Sequence, residues 1–95
     1  MLNSKDRATL KKLANGYDPL IYIGKDGISQ TILDEAEVLL EKRELIKVCV
    51  QRGCELTPRE VCDAFCEQLK CEPVLVVGKR FIIYREAKEE SKNLI

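Results

Sequence analysis

From residue 30 to 40 apolar side chains recur at helical spacing: Ile32, Leu33, Ala36, Leu39 and Leu40 fall on one stripe, with Asp34, Glu35 and Glu37 off it. This predicts an amphipathic helix, and Ser29 just before it offers the side-chain oxygen that its first free N–H groups need. The rhythm changes at residues 45–51, where Ile46, Val48 and Val50 alternate with Lys47, Cys49 and Gln51. A period of two predicts a strand with one face more buried than the other. Helical spacing returns at Val61, Ala64, Phe65 and Leu69, behind Thr57-Pro58-Arg59-Glu60, a capping box with proline at the first helical position. Nearer the start, Leu10 and Leu13 mark one stripe of a first helix, capped by Ser4 and ending at Ala14, with Lys11 and Lys12 off the stripe. Gly16 stands where a left-handed C-cap is expected, and Pro19 opens an extended run at 20–23. Two β-rich runs, 74–77 and 80–85, are joined by Gly78-Lys79, the length of a two-residue hairpin turn.

The predicted order is therefore α-β-α-β-α-β-β. Successive β-α-β units place their strands parallel, with the connecting helices on one side of the sheet. The closing hairpin makes the last strand antiparallel. For so short a chain the expected fold is α/β: a two-layer sandwich with a four-stranded mixed sheet. One domain is expected over residues 1–86, followed by a charged, flexible tail at 87–95 that has no apolar period.

Composition narrows the function classes. Ninety-five residues, 45% hydrophobic and 34% charged, fit a small globular domain. No apolar run has the length of a membrane span, and MLNSKDRATL does not read as a signal peptide, so no membrane partner and a cytoplasmic location are expected. There are five cysteines and no histidine, and no C-x-x-C occurs. Cys/His zinc sites and histidine-dependent catalysis are thereby excluded, and an odd cysteine count without a secretory signal argues against a disulfide framework. Cys62 and Cys66, four apart on the third helix, read as small core hydrophobes, with a thiol switch as the lesser alternative. No cofactor, no metal and no catalytic residue is expected.

Net charge is zero, but charge is not evenly spread. Residues 1–27 hold five cations, Lys5, Arg7, Lys11, Lys12 and Lys25, against Asp6, Asp18 and Asp26. Residues 28–46 hold five acids against Lys42 and Arg43, and residues 73–85 hold Lys79, Arg80 and Arg85 with no acid. The acid-rich second helix reads as a solvated face.

The densest candidate chemistry lies at residues 21–29, where a short apolar run meets Gly24-Lys25-Asp26-Gly27 and Ser29 then opens a helix. Glycines without Cβ let both ends of such a turn take unusual backbone angles and let another molecule approach. The helix start presents free N–H groups and the positive end of its dipole, and Lys25 adds a full charge. Together these make a clamp for a phosphate backbone. By spacing alone, G-x-x-G is more often an ordinary strand-to-helix connector.

Four segments resemble the CRM domain, the RNA-binding module of chloroplast splicing factors, and in particular the stand-alone bacterial YhbY family. They are Leu10-Lys11-Lys12-Leu13-Ala14; Pro19 to Gly27, centred on Ile21 and Gly24-Lys25-Asp26-Gly27; Glu44-Leu45-Ile46-Lys47-Val48; and Val77-Gly78-Lys79 followed by Ile82-Ile83-Tyr84-Arg85. They occur in family order over roughly residues 3–86. The resemblance implies the same α-β-α-β-α-β-β fold, related to the C-terminal domain of bacterial translation initiation factor three. It also implies association with structured RNA in precursors of the large ribosomal subunit, and so a role in ribosome assembly on the pre-ribosomal particle. No DNA partner is expected, and, since nothing in the sequence suggests an obligate dimer, a monomer is expected. In the family the G-x-x-G loop is compared with the backbone clamp of KH domains. Carried over, this makes Gly24, Lys25 and Gly27 the loop, Lys47, Lys79 and Arg85 matched basic positions, and Lys11 and Lys12 a basic first helix. Asp26 within the clamp and Asp18 before Pro19 depart from the family pattern and are expected to weaken phosphate binding. Tyr22 and Tyr84, at strand positions, read as packing before base stacking. The rival function is a protein–protein module that docks on a ribosomal or assembly protein.

Overall fold

The computed structural model describes residues 2–88 and 94. Seven elements follow one another: α1 (Ser4–Ala14), β1 (Ile21–Ile23), α2 (Gln30–Arg43), β2 (Leu45–Val50), α3 (Pro58–Leu69), β3 (Glu72–Val77) and β4 (Arg80–Tyr84). The sheet order is β1-β2-β4-β3. β1 and β2 are parallel, and β4 runs antiparallel between β2 and β3. The predicted element order and the four-stranded mixed sheet are both present.

Helix boundaries follow local chemistry. Ser29 Oγ accepts from the Ile32 amide at 3.2 Å, and Thr57 and Glu60 exchange both bonds of the capping box at 3.2 and 2.9 Å. The first helix departs from expectation. Asn3, not Ser4, is its cap: the Asn3 carboxamide accepts from the Asp6 amide at 2.8 Å, and Ser4 is already helical. Nor does Gly16 supply a left-handed cap, because α1 closes through Asn15 in right-handed geometry.

The core lies on both faces of the sheet. On the first face α2 and α3 bring Ala36, Leu40, Val61, Cys62 and Phe65 against Ile21, Ile23, Ile46, Val48, Val50, Phe81 and Ile83. Phe65 and Phe81 meet edge to face, with centroids 5.6 Å apart. On the second face α1 sets Leu10 and Ala14 against Leu45, Val74, Ile82 and Tyr84. The two expected layers are therefore joined by a partial third. Leu13 was expected on the α1 stripe but is exposed: the buried pair is Leu10 and Ala14, an i, i+4 row, and Leu13 falls beside it.

α2 ends with a feature that periodicity did not reveal. Glu44 caps it at φ 66°, fully buried, and donates its amide to the Leu40 carbonyl at 2.8 Å. Its carbonyl accepts from the Arg85 amide at 2.9 Å, and its carboxylate accepts from the Ala87 amide. Lys88 donates its amide to the Glu41 carboxylate at 3.0 Å. The fold therefore continues past the expected boundary at residue 86, with Ala87 buried. Most of the expected tail, 89–93 and 95, lies outside the described residues.

Candidate nucleic-acid interface

At the end of β1 the Gly24 carbonyl accepts from the Gly27 amide at 3.0 Å, closing a four-residue turn over Lys25 and Asp26, which are both exposed. Only Gly27 needs glycine's freedom, at φ +70°; Gly24 keeps an ordinary backbone. A Cβ on Gly24 would stand 3.4 Å from Gln51 Oε1, an ordinary contact. α2 starts two residues beyond Ser29's neighbour Ile28, so its dipole and free amides sit directly behind the turn.

Two more turns share this end of the sheet. The Gln51 amide donates to the Ile23 carbonyl at 2.8 Å, which sets the Gln51-Arg52-Gly53 loop beside Gly24. The Val50 amide donates to the Lys79 carbonyl at 2.7 Å, which stitches the Gly78-Lys79 hairpin turn to the end of β2. Lys25, Arg52 and Lys79 are all exposed, and α3 also begins here. A cleft of about 310 Å³ runs between Arg52, Gly53 and Lys79.

The second face of the sheet continues this positive surface. α1 covers only part of it. A groove of about 250 Å³ is lined by Lys11, Asn15, Lys47 and Arg80 over a floor of Leu75, Val77 and Ile82, and no carboxylate among the described residues lines it. Cross-strand register explains the convergence: Lys47 faces Ile82, Ile82 faces Leu75, and Arg80 faces Val77 on one side and Cys49 on the other.

The predicted basic residues thus fall into distinct places. Gly24, Lys25, Gly27 and Lys79 meet at the turn end, while Lys11 and Lys47 meet on the sheet face. Lys12 is exposed on the side of α1 away from Leu10 and Ala14. Arg85 does not join them. Its guanidinium, only 11% exposed, donates to Glu37 Oε1 at 2.9 Å, to the second Glu37 oxygen, to Glu41 at 3.3 Å and to the Leu69 carbonyl at 3.1 Å. The hydrogen bonds from Arg85 hold the Glu37 carboxyl below the usual carboxylate range, and the same bonds push Arg85 up. Arg85 is therefore an internal tie between β4 and α2, and the acid-rich helix is not simply a solvated face. From its place at a strand end Arg85 could equally have paired with a carboxylate, and it does; which carboxylate was not legible, because Glu37 and Glu41 come from another element.

Sequence reasoning passed over Arg52 and Arg80 as site residues. Arg80 was legible by parity, since it shares a face with Ile82 two residues on. Asp18 also changes role. It sits with Tyr17, Leu20, Arg43 and Leu45, where β2 begins, and so leaves the clamp alone. Asp26 stays within it. Among the cysteines, Cys62 and Cys71 are buried core groups; hydrogen bonding to Cys66 together with burial pushes both thiols up, and the same hydrogen bonds push the half-buried Cys66 thiol down.

Comparisons with known proteins bear on the fold and the family. The chain is 30% identical over 92 residues to "Probable RNA-binding protein YqeI" of Bacillus subtilis, covering 97% of this chain and 96% of that protein. It is 31% identical over 93 residues to "RNA-binding protein" of Haemophilus influenzae, covering 98% and 94%. The solution structure of SAV1595 from Staphylococcus aureus superposes with a TM-score of 0.80 at 37% identity, covering 97% of this chain and 96% of that one. The family model for the CRS1 / YhbY (CRM) domain matches residues 2–85, and the chain belongs to that family.

Proposed function

We propose that this chain is a non-catalytic RNA-binding protein that grips the ribose-phosphate backbone at the turn end of its sheet. The observation that carries this reading is the meeting of three turns, two helix starts and the exposed cations Lys25, Arg52 and Lys79 at one end of the molecule. Backbone amides and lysines fix a phosphate chain in place without reading its bases, so recognition is by charge and shape. The names of the relatives support RNA as the partner. The family resemblance extends the proposal to precursors of the large ribosomal subunit and to a role in their assembly.

Two measurements test this. Crosslinking in cells, followed by sequencing of the attached RNA, is expected to recover one cluster in large-subunit precursor RNA. Lys25→Glu with Lys79→Glu is expected to weaken binding to that RNA by at least about tenfold at roughly 0.1 M salt, since two favourable phosphate contacts become repulsive. Scattered crosslinks with unchanged affinity in the double variant would remove both the RNA class and the clamp. Retention on assembly proteins after nuclease treatment and high salt would instead favour the docking module.

A further inference from the structure

Tyr22 is 52% exposed, although its chain neighbours Ile21 and Ile23 are 3% and 0% exposed. An aromatic side chain in a strand ordinarily packs against a covering layer. Here α1 lies over Leu45, Val74, Ile82 and Tyr84, and the rung formed by Tyr22, Cys49, Arg80 and Val77 is left beyond it. Val77, at the other edge of that rung, is 59% exposed. With strands spaced about 4.8 Å apart, Arg80 stands about 10 Å across the sheet from Tyr22. Lys47 occupies the next rung between them and joins Lys11 and Arg80 around the basic groove. Gly24 follows Tyr22 on the same face and adds no side chain, and the Gln51 carboxamide oxygen stands 3.4 Å from where a Gly24 Cβ would lie, a polar neighbour on the turn side.

A flat ring, an apolar floor and three cations on one open face suit a ligand that carries both planar bases and phosphates. A duplex hides its base faces by stacking, whereas a single strand offers them. We propose that this uncovered half of the second sheet face is a platform for single-stranded RNA, on which Tyr22 stacks one base while Lys47 and Arg80 take flanking phosphates. The platform rests on the RNA-binding reading above and adds to it a contact distinct from the turn clamp.

The test compares the parent protein with Tyr22→Ala, Tyr22→Leu, Tyr22→Phe and Lys25→Glu. The probes are labelled oligouridine of about ten nucleotides, within the usual span of such grooves, and a fully paired RNA duplex. Tyr22→Ala and Tyr22→Leu are expected to weaken oligouridine binding at least about fivefold, and Tyr22→Phe to stay within about twofold, because the ring and not the hydroxyl stacks. Duplex binding is expected to be the same in all three Tyr22 variants, and Lys25→Glu to weaken both probes. Tyr22→Leu keeps apolar bulk, so a loss shared with Tyr22→Ala at unchanged thermal midpoint is not a folding effect. If both bind oligouridine as the parent does while Lys25→Glu binds less, the platform is wrong and the clamp survives. If the parent binds neither probe, the RNA reading and the platform fall together. Polyglutamate bound more tightly than oligouridine would assign the face to an acidic protein segment and overturn the platform.

Discussion

Asp26 shows how much a single side chain shifts the candidate clamp. It is exposed beside Lys25 on a turn whose amides and neighbouring helix start favour an anion. A carboxylate a few ångströms from a bound phosphate repels it through water, a cost on the order of 1 kcal/mol at contact distances. Asp26→Asn keeps the size and the turn preference while removing the charge. Affinity for large-subunit precursor RNA is expected to rise roughly threefold to fivefold at about 0.1 M salt, with the gain shrinking as salt screens the charge. Filter binding at two salt concentrations checks this, and an unchanged constant at both would place Asp26 outside the contact. The turn itself was legible from Gly24 and Gly27. That only Gly27 is left-handed was not, since spacing carries no φ angle.

At the scale of elements, the tie between β4 and α2 has a definite energetic signature. Arg85 bridges Glu37 and Glu41 from a nearly buried position, while those carboxylates remain 44% and 34% exposed. Arg85→Ala is expected to cost about 1–2 kcal/mol, between the value for an exposed pair and the roughly 3–5 kcal/mol for breaking a fully buried one, because solvent screens the two acids left behind. Urea unfolding measures it, and a midpoint equal to the parent's would show that the bridge contributes nothing net. The pH dependence has a fixed sign. Since Arg85 holds the Glu37 carboxyl below its unfolded value, the contribution is fully present above about pH 4.5 and is lost as pH falls through the lowered folded value. The gap between parent and Arg85→Ala therefore narrows on acidification, whereas a gap that stays constant down to about pH 3 would refute the assignment. α2 and α3 were readable from stripes and caps because those signals are local: Ser29, Thr57 and Glu60 bond within three residues. The Arg85 bridge and the burial of Glu44 join positions more than forty residues apart, so no periodicity reports them. The placement of α1 on the second face was hidden for the same reason, since an apolar stripe does not say which face of a sheet it covers.

For the whole molecule, zero net charge is the wrong quantity from which to judge an RNA partner. The molecule measures 35 × 26 × 22 Å. Lys25, Arg52 and Lys79 lie at the turn end, near Asp26, Glu55 and Glu60, and Lys11, Lys47 and Arg80 lie on the adjoining face, while Glu37, Glu41 and Glu44 gather where α2 ends. At about 0.1 M salt a charge is screened within about 10 Å, so acids at the far end cannot cancel cations at the near end. Binding is then governed by the local set, and each phosphate neutralised on a single strand contributes about −0.7 to the slope of log K against log salt. Six cations, offset in part by Asp26, Glu55 and Glu60, predict a slope of roughly −2 to −4 for a strand that spans both the turn and the sheet face. Replacing Lys25 and Lys79 together by Gln is expected to flatten it by about 1.4, and replacing Lys47 and Arg80 together by Gln to flatten it equally. Titrations with oligouridine across about 0.05–0.3 M salt read these slopes directly. If only the first pair flattens the slope, the strand stops at the turn. If neither does, binding is not electrostatic, and the asymmetry of charge has no part in recognition.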